Sequence, residues 1–168
     1  MFKRIRQMKG VTMVELLAAV VIIGVITSMA APEFERSIQR IKFRSETKNL
    51  LSTMRTARSH AIAEKSQYGI HFDGNSRVIT LFKDIANPSN LAYDVGADSV
   101  LRVDTLPAEF SYLYASFPNS ALIFHANGTA NSTGDVFMIS NPSGTVNLTQ
   151  LNVLASTGRS KIQYIHNY

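Results

Sequence analysis

An α+β fold, in which a long N-terminal helix packs against a C-terminal antiparallel β-sheet, is predicted by this sequence of 168 residues. Two observations carry the prediction. Residues 11–32 form an apolar run with Glu15 as its only charge, and apolar residues at helical spacing continue to about Lys65. From Gln67 onward the pattern changes to short runs rich in β-branched and aromatic residues, separated by clusters of Gly, Asn, Ser and Pro.

The apolar run is long enough for a membrane-spanning helix. A span needs about 20 predominantly apolar residues, and residues 11–32 supply 22. Because Lys3, Arg4, Arg6 and Lys9 precede the run, the positive-inside rule keeps the N-terminus in the cytoplasm. Glu15 is a carboxylate inside the apolar run, where it costs about 2.5 kcal/mol or more and usually marks a functional group.

Two other interpretations of this segment stay open on these residues. A secretory signal peptide also has a basic start and an apolar run, and Ser28-Met29-Ala30 offers a small-x-small cleavage site that would release a soluble periplasmic protein. A plain membrane anchor accounts for the length but not for Glu15 or for the Lys9–Gly10 junction. The helical pattern also continues past Ala31, where the signal peptide would end.

The junction Lys9-Gly10-Val11-Thr12-Met13-Val14-Glu15-Leu16-Leu17 resembles the leader junction of type IV pilins and type II secretion pseudopilins. The resemblance implies that a prepilin peptidase cuts after Gly10 and methylates the new α-amino group of Val11, so that residues 1–10 are a leader peptide. It also implies a pilin-like, single-pass protein of the bacterial inner membrane. The N-terminus would be cytoplasmic and the head periplasmic until the protein joins other pilin subunits in a filament.

The chemistry of Glu15 agrees with this resemblance. A buried carboxylate needs a partner or must take up a proton. After cleavage the α-amino group of Val11 is a cation near the membrane. We therefore expect Glu15 to pair with the Val11 amine of a staggered neighbouring subunit, which selects the packing register more than it adds stability.

From Glu33 the helix becomes amphipathic. Pro32 removes one helix hydrogen bond, so we expect a helix from about Thr12 to Lys65 that is broken, bent or weakened near Gly24 and Pro32. Residues 33–66 form its second half, whose Leu50–Ile62 face backs the head, and the cations between the apolar positions form an ordinary solvated face. The predicted apolar positions are Ile38, Ile41, Leu50, Leu51, Met54, Ala57, Ala61 and Ile62.

The head, residues 67–168, is predicted as an antiparallel sheet. Tyr68–Phe72 and Val78–Phe82 flank an Asp73-Gly74-Asn75 turn and form a hairpin. Further strand candidates are residues 100–103, 122–125, 136–140, 151–154 and 161–165.

Several segments of the second half resemble the GspH/FimT class of pseudopilins and minor pilins. They are Ala57-Arg58-Ser59-His60-Ala61-Ile62, Phe124-x-x-x-Gly128, Gly134 before Val136–Ser140, and Gly158-Arg159. His60 stands where the class usually has glutamate, which removes a possible intrahelical charge pair. The resemblance implies a structural, non-enzymatic minor pilin or pseudopilin that sits at or near the filament tip and primes assembly or contacts secreted cargo.

One branch of that class, the FimT-like minor pilins, carries a C-terminal Gly-Arg-x-Arg motif implicated in binding DNA during uptake. This chain has Gly158-Arg159-Ser160-Lys161, so the resemblance implies Arg159 and Lys161 as DNA contacts. Two cations two residues apart on a strand share one face and give salt-sensitive, sequence-independent binding. We expect Tyr164 and Tyr168 to add stacking. The alternative is a capping strand with two ordinary exposed cations.

Composition and motifs argue against other classes. The chain has no cysteine, so disulfides and thiolate chemistry are excluded, and its four histidines lack metal-ligand spacing. No hydrolase or nucleotide-binding motif occurs, so we expect neither a metal, a cofactor nor enzymatic activity. The net charge of +5 falls to +1 without the leader, and residues 67–168 carry −2, so bulk charge does not favour a polyanion partner.

Overall fold

The computed structural model describes residues 10–141 and 146–167, and the chain divides into two compact units, Met1–Ile38 and Gln39–Tyr168. The expected leader therefore lies outside the described residues except for Gly10, and so does Tyr168. Helix α1, Met13–Glu64, begins in the first unit and ends in the second, within one residue of the predicted bounds. The α+β class is confirmed.

From Leu16 to Pro32, in the first unit, α1 has no charged residue and is apolar all round. Its large hydrophobic residues from Met13 to Met29 are 55–81% exposed. An 18-residue window has a mean hydropathy of 2.3 and no buried residue, so α1 is long and apolar enough to cross a membrane. The helix continues through Gly24 and Pro32, so the structure shows no break at Pro32. A bend or local weakening there stays a prediction.

In the second unit, α1 buries only one face. Of the apolar positions predicted for this half, Ile38 is 37%, Ile62 38% and Ile41 67% exposed. Ile41 lies two residues before the buried Phe43, about 200° away around a helix of 3.6 residues per turn. The prediction of Leu50, Met54, Ala57 and Ala61 as buried is confirmed, and the complete buried set is Phe43, Thr47, Leu50, Thr53, Met54, Ala57 and Ala61.

The strands form two four-stranded antiparallel sheets where the sequence predicted one. In the described residues, sheet A has the order β3-β2-β1-β5 and sheet B the order β4-β6-β7-β8. Strand β4 and the short 3₁₀ turn Pro118–Ser120 had no counterpart in the sequence prediction. The strands are β1 Tyr68–Asp73, β2 Val78–Lys83, β3 Ser99–Thr105, β4 Phe110–Ala115, β5 Ala121–Phe124, β6 Gly134–Ser140, β7 Asn147–Leu154 and β8 Arg159–Asn167.

The predicted β1–β2 hairpin is present, but its turn is longer than an Asp-Gly pair. Asp73 pairs with Val78, which leaves residues 74–77 as the connection. The Asp73 carboxylate accepts the backbone N–H of Asn75 at 3.0 Å and that of Ser76 at 3.3 Å. Arg77 takes the left-handed conformation with φ +58°. An aspartate turn therefore takes the place of the expected turn at Gly74.

One core in the second unit joins α1 to both sheets. The rings of Phe43 on α1 and Phe110 on β4 stack with centroids 5.4 Å apart. Buried residues of β1 and β5 pack in the same cluster as Val136, Met138, Leu151 and Val153 of sheet B. Burial of each such side chain contributes about 1.5–3 kcal/mol, so this core holds the helix and both sheets in one arrangement.

A salt bridge connects the end of α1 to the β1–β2 hairpin. Lys83 Nζ lies 2.7 Å from Glu64 Oε2, and its hydrogen bond lowers the pKa of Glu64 to about 2. His60 Nδ1 lies 3.5 Å from Glu64 Oε1. Glu64 lies one turn away on the same face of α1, so His60 contacts an acidic residue within the helix.

The loop of residues 84–98 folds over the face of sheet A opposite the main core. The Tyr93 ring packs 4.8 Å from the ring of Phe82. The carboxylate of Asp98 holds the loop closed by accepting backbone N–H groups of Ile85 at 3.0 Å, Ala86 at 3.2 Å and Asp94 at 2.8 Å. Asp98 is thus explained by loop structure.

Asp84 is a buried carboxyl beside that loop. It is 4% exposed, and its burial, together with the charges of Asp98 and Asp94, raises its pKa to about 6. Between the ordinary value of 3.8 and about 6, the folded chain holds a proton that the unfolded chain has lost. This group therefore stabilises the fold at low pH, and its contribution is lost as the pH rises to about 6.

The Asp84→Asn variant should remove this pH dependence. Its unfolding free energy at pH 7 should rise by about 1–3 kcal/mol, since a shift of one unit is worth about 1.4 kcal/mol. Urea unfolding between pH 4 and 7, followed by circular dichroism, measures both quantities. Asp73→Asn is the control, because hydrogen bonds from Ser76 lower the pKa of Asp73. A fall in stability that persists in Asp84→Asn would contradict this account.

Candidate functional site

The start of α1 is closed by a capping interaction between residues singled out in the sequence. Thr12 directly precedes the helix, and its Oγ1 accepts the backbone N–H of Glu15 at 3.2 Å. Glu15 is the third helical residue, where the helix dipole favours a carboxylate. Thr12-x-x-Glu15 therefore has the sequence of a capping box. Capping of the helix explains both residues without a contact to a neighbouring subunit.

Glu15 and the predicted new N-terminus are both exposed. Val11 is 70% exposed, and Glu15 lies four residues further along. Within residues 10–141 and 146–167 Glu15 takes part in no ion pair. The helix thus presents one unpaired carboxylate at the start of a fully apolar surface.

Strand β8 carries Arg159 and Lys161 on one exposed face, as predicted. β8 is an edge strand, and Arg159 pairs with Leu154 while Lys161 pairs with Asn152 of β7. This is the outward face of sheet B, because the alternate β7 residues Leu151 and Val153 are buried in the core. At a rise of about 3.4 Å per residue, the two cations lie about 6.8 Å apart along the strand.

Tyr164 does not join these cations. It pairs with the buried Thr149 and so lies on the opposite face of β8. The guanidinium carbon of Arg44 lies 5.9 Å from its ring centroid. The expectation that Tyr164 stacks beside Arg159 and Lys161 is wrong, because an odd number of residues along a strand reverses the face.

A groove of about 270 Å³ lies between α1 and the start of β8. Arginines from both elements line it. The lining residues are Arg55, Arg58, Ser59, Ile62, Gly158, Arg159 and Ser160.

Arg58 joins two glycine-containing segments at the base of this groove. Its Nε donates to the carbonyl oxygen of Gly128 at 3.0 Å. A Cβ on Gly158 would overlap that same oxygen and lie 2.9 Å from Arg58 Nε, and Gly158 has φ +61°. Three of the segments that carried the resemblance to a family therefore meet at one point, and Gly158 is required there for close packing.

The groove is strongly basic. Three arginines line it, and no acidic residue does. In the described part of the chain, Arg55, Arg58 and Arg159 form no ion pair. Ser160 is 6% exposed and its hydroxyl has no hydrogen-bond partner within that part. Arginines without an acidic partner at one groove are suited to binding an anion.

Some charge on the neighbouring surface opposes anion binding. Asp135 lies on the outward face of sheet B, two strands from Lys161, or about 10 Å at the usual strand spacing. Its Oδ1 accepts a hydrogen bond from Asn152 Nδ2 at 2.9 Å. The Asp135 carboxylate therefore weakens the potential at Lys161 more than in the groove.

Arg55 and Arg58 are the site residues that the sequence analysis missed. Both were predicted on a solvated basic face, because their proximity to Arg159 depends on where β8 lies. The quoted segment Ala57–Ile62 contains Arg58 and was the available signal. For metal binding, no group of three His, Cys, Asp or Glu side chains in the described residues is placed to hold an ion.

Two family models match this chain, one over most of its second part and one near its N-terminus. The family model for type II transport protein GspH matches residues 46–158. The model for the prokaryotic N-terminal methylation motif matches residues 5–31. A comparison with curated protein sequences finds no match.

Two solved structures have a similar fold. The minor pseudopilin EpsH from the type 2 secretion system of Vibrio cholerae superposes with a TM-score of 0.55 and 11% identity, over 72% of this chain and 95% of EpsH. The type IV minor pilin FimU of Pseudomonas aeruginosa gives 0.55 and 16% identity, over 74% of this chain and 90% of FimU.

The Gly158→Ala variant should test the packing point at Arg58. We expect a loss of about 3 kcal/mol or more, because a clash adds to the left-handed backbone cost. Gly96→Ala is the matched control, since Gly96 has φ +80° but a Cβ added there would meet no atom within 4 Å; it should cost about 1 kcal/mol. Urea unfolding measures both, and equal losses would show that Gly158 is not tightly packed.

Proposed function

The chain belongs to the GspH family of minor pseudopilins and pilins, and from this premise we propose that it is a structural, non-enzymatic filament subunit acting at or near the tip. The single observation that carries the proposal is the stretch of α1 from Leu16 to Pro32, which is apolar on all sides and covered by nothing in the described chain. Such a surface needs lipid before assembly and other helices afterwards.

Processing at the N-terminus precedes assembly in this account. A prepilin peptidase removes residues 1–10 after Gly10 and methylates Val11, which the match to the methylation motif supports. Residues 11–32 hold the protein in the inner membrane with the N-terminus cytoplasmic. Residues 33–66 and 67–168 lie in the periplasm and form the helix–sheet head.

Glu15 then selects the position of the subunit among its neighbours. In the apolar interior of a filament, an unpaired carboxylate costs several kcal/mol or takes up a proton. The Val11 amine of a staggered neighbour supplies the opposite charge, so that packing is favoured over others. The capping geometry holds Glu15 at the start of the helix, on the side of the cut.

A role at the tip, in priming assembly or contacting secreted cargo, is supported by the fold comparison. EpsH and FimU are both described as minor subunits. We propose that this subunit likewise has a minor role, in which it begins the filament or contacts something outside it. The partners in this proposal are other pilin subunits, the prepilin peptidase and the inner membrane.

The Glu15→Ala variant should be cleaved normally and should enter filaments at least tenfold less than the wild type, because its neighbour's amine is left unpaired. The measurement is the amount of subunit in sheared filaments relative to that in membranes. Glu15→Gln keeps the size and should fail equally. Glu35→Ala, which removes an exposed carboxylate outside the apolar run, should have no effect. Normal incorporation of Glu15→Ala would refute the pairing role.

Capture of DNA by the head is a second candidate function. The observation that favours it is the placement of Arg159 and Lys161 on one exposed face of an edge strand, next to the basic groove. A minor pilin with this surface would hold DNA at the filament during uptake. Charge that is concentrated here overcomes the small net negative charge of residues 67–168.

This candidate predicts that the mature full-length chain, held in nanodiscs of neutral lipid, binds oligonucleotides of unrelated sequence with similar affinity. Binding should weaken steeply with salt, because phosphate contacts release counterions. The double variant Arg159→Ala, Lys161→Ala should lose at least tenfold in affinity, measured by fluorescence anisotropy. Absence of binding by the wild type at low salt would remove the candidate.

A further inference from the structure

We propose that the groove between α1 and β8 is a phosphate-binding site for the backbone of a nucleic-acid strand, and that Arg55 and Arg58 act there together with Arg159. The inference rests on the second candidate function and extends its contact surface from β8 onto the helix. Arg159 of the C-terminal motif then forms one side of the site, and Arg55 and Arg58 on α1 form the other.

The first argument is that the charged side chains at the groove lack a partner of opposite charge in the described residues. Three arginines without a carboxylate partner in the described residues line the groove, and the buried hydroxyl of Ser160, another lining residue, has no hydrogen-bond partner there. Bringing like charges together costs energy unless an anion is bound. A planar guanidinium donates two parallel hydrogen bonds to a phosphate group, and about 270 Å³ is ample room for one.

Preorganisation is the second argument. The bond from Arg58 Nε to the Gly128 oxygen fixes the direction of its guanidinium group, whose terminal nitrogens have no other partner in the described residues. Gly158 permits the close approach of β8 that brings Arg159 to the same groove. Less side-chain entropy is therefore lost when an anion binds.

The arrangement favours a chain of phosphates over a single anion. Arg159 lies at the groove, and Lys161 continues the same face of β8 about 6.8 Å further along. Gln163 follows on that face with an amide donor. A linear polyanion with regularly spaced charges can contact the groove and this row at once, whereas an isolated anion fills the groove alone.

The salt dependence of binding distinguishes a site that includes the groove from one formed by Arg159 and Lys161 alone. For a single strand, the slope of log K against log salt is about −0.7 for each phosphate neutralised. Arg159 and Lys161 alone give about −1.4, whereas adding Arg55 and Arg58 gives about −2.8. The probe is a labelled thymidine homopolymer, titrated with the mature full-length chain in nanodiscs of neutral lipid.

Arg55→Ala is the decisive variant, because Arg55 makes no hydrogen bond or ion pair in the described structure that its loss would break. It should weaken binding about five- to tenfold and reduce the slope by about 0.7. Lys48→Ala is the matched control, since Lys48 is an exposed cation on the same helix about two turns away and outside the groove. It should leave both values unchanged, and urea unfolding of both variants should match the wild type.

The outcomes separate the two proposals. A wild-type slope near −1.4 that Arg55→Ala does not change would overturn the groove while leaving DNA capture by β8 intact. No binding by the wild type would overturn both. Equal effects of Arg55→Ala and Lys48→Ala would show diffuse attraction instead of a site. Stronger binding to vesicles of anionic lipid, lost in Arg55→Ala, would assign the groove to a lipid headgroup and also overturn the inference.

Discussion

A single helix that must satisfy two different surroundings is the constraint on which the rest of this structure depends. From Leu16 to Pro32, α1 is apolar on every side, whereas from Phe43 to Ala61 the same helix buries a single face under two sheets. An all-round apolar surface is unstable in water, because each exposed large side chain forgoes about 1.5–3 kcal/mol of burial. We therefore propose that the protein needs a membrane first and other subunits afterwards, while the head packs on the continuation of the same helix.

Arg58 links the packing of the head to its surface charge. Its bond to Gly128 and the close approach of Gly158 fix where β8 begins, and that position brings Arg159 to the helix. The same contacts that hold the fold thus collect unpaired cations in one groove. A motif containing Gly158 and Arg159 can for this reason be present for packing alone. Only the substitution of a charge such as Arg55, which has no packing role, tests binding without altering the structure.

The sequence predicted local features better than long-range pairing. Helix bounds, the hairpin and the exposed face shared by Arg159 and Lys161 follow from periodicity. The buried helix face was only partly predictable, because Thr47 and Thr53 appear polar until their hydroxyls bond to Phe43 and Asn49 carbonyls within the helix. The division into two sheets and the groove arise from contacts between distant segments, which no local pattern encodes. The face of Tyr164 was predicted wrongly, because only its register with β7 shows on which side of β8 it lies.

The mass of the mature protein, recovered from membranes and from filaments of its native host, tests the central claim most directly. If α1 keeps its apolar first unit for membrane and filament, the protein should begin at Val11 and carry one added methyl group on the α-amine, so that Glu15 is retained. A mature protein that begins at Ala31 would have lost that entire surface with Glu15, and it would contradict the account by leaving a soluble periplasmic head.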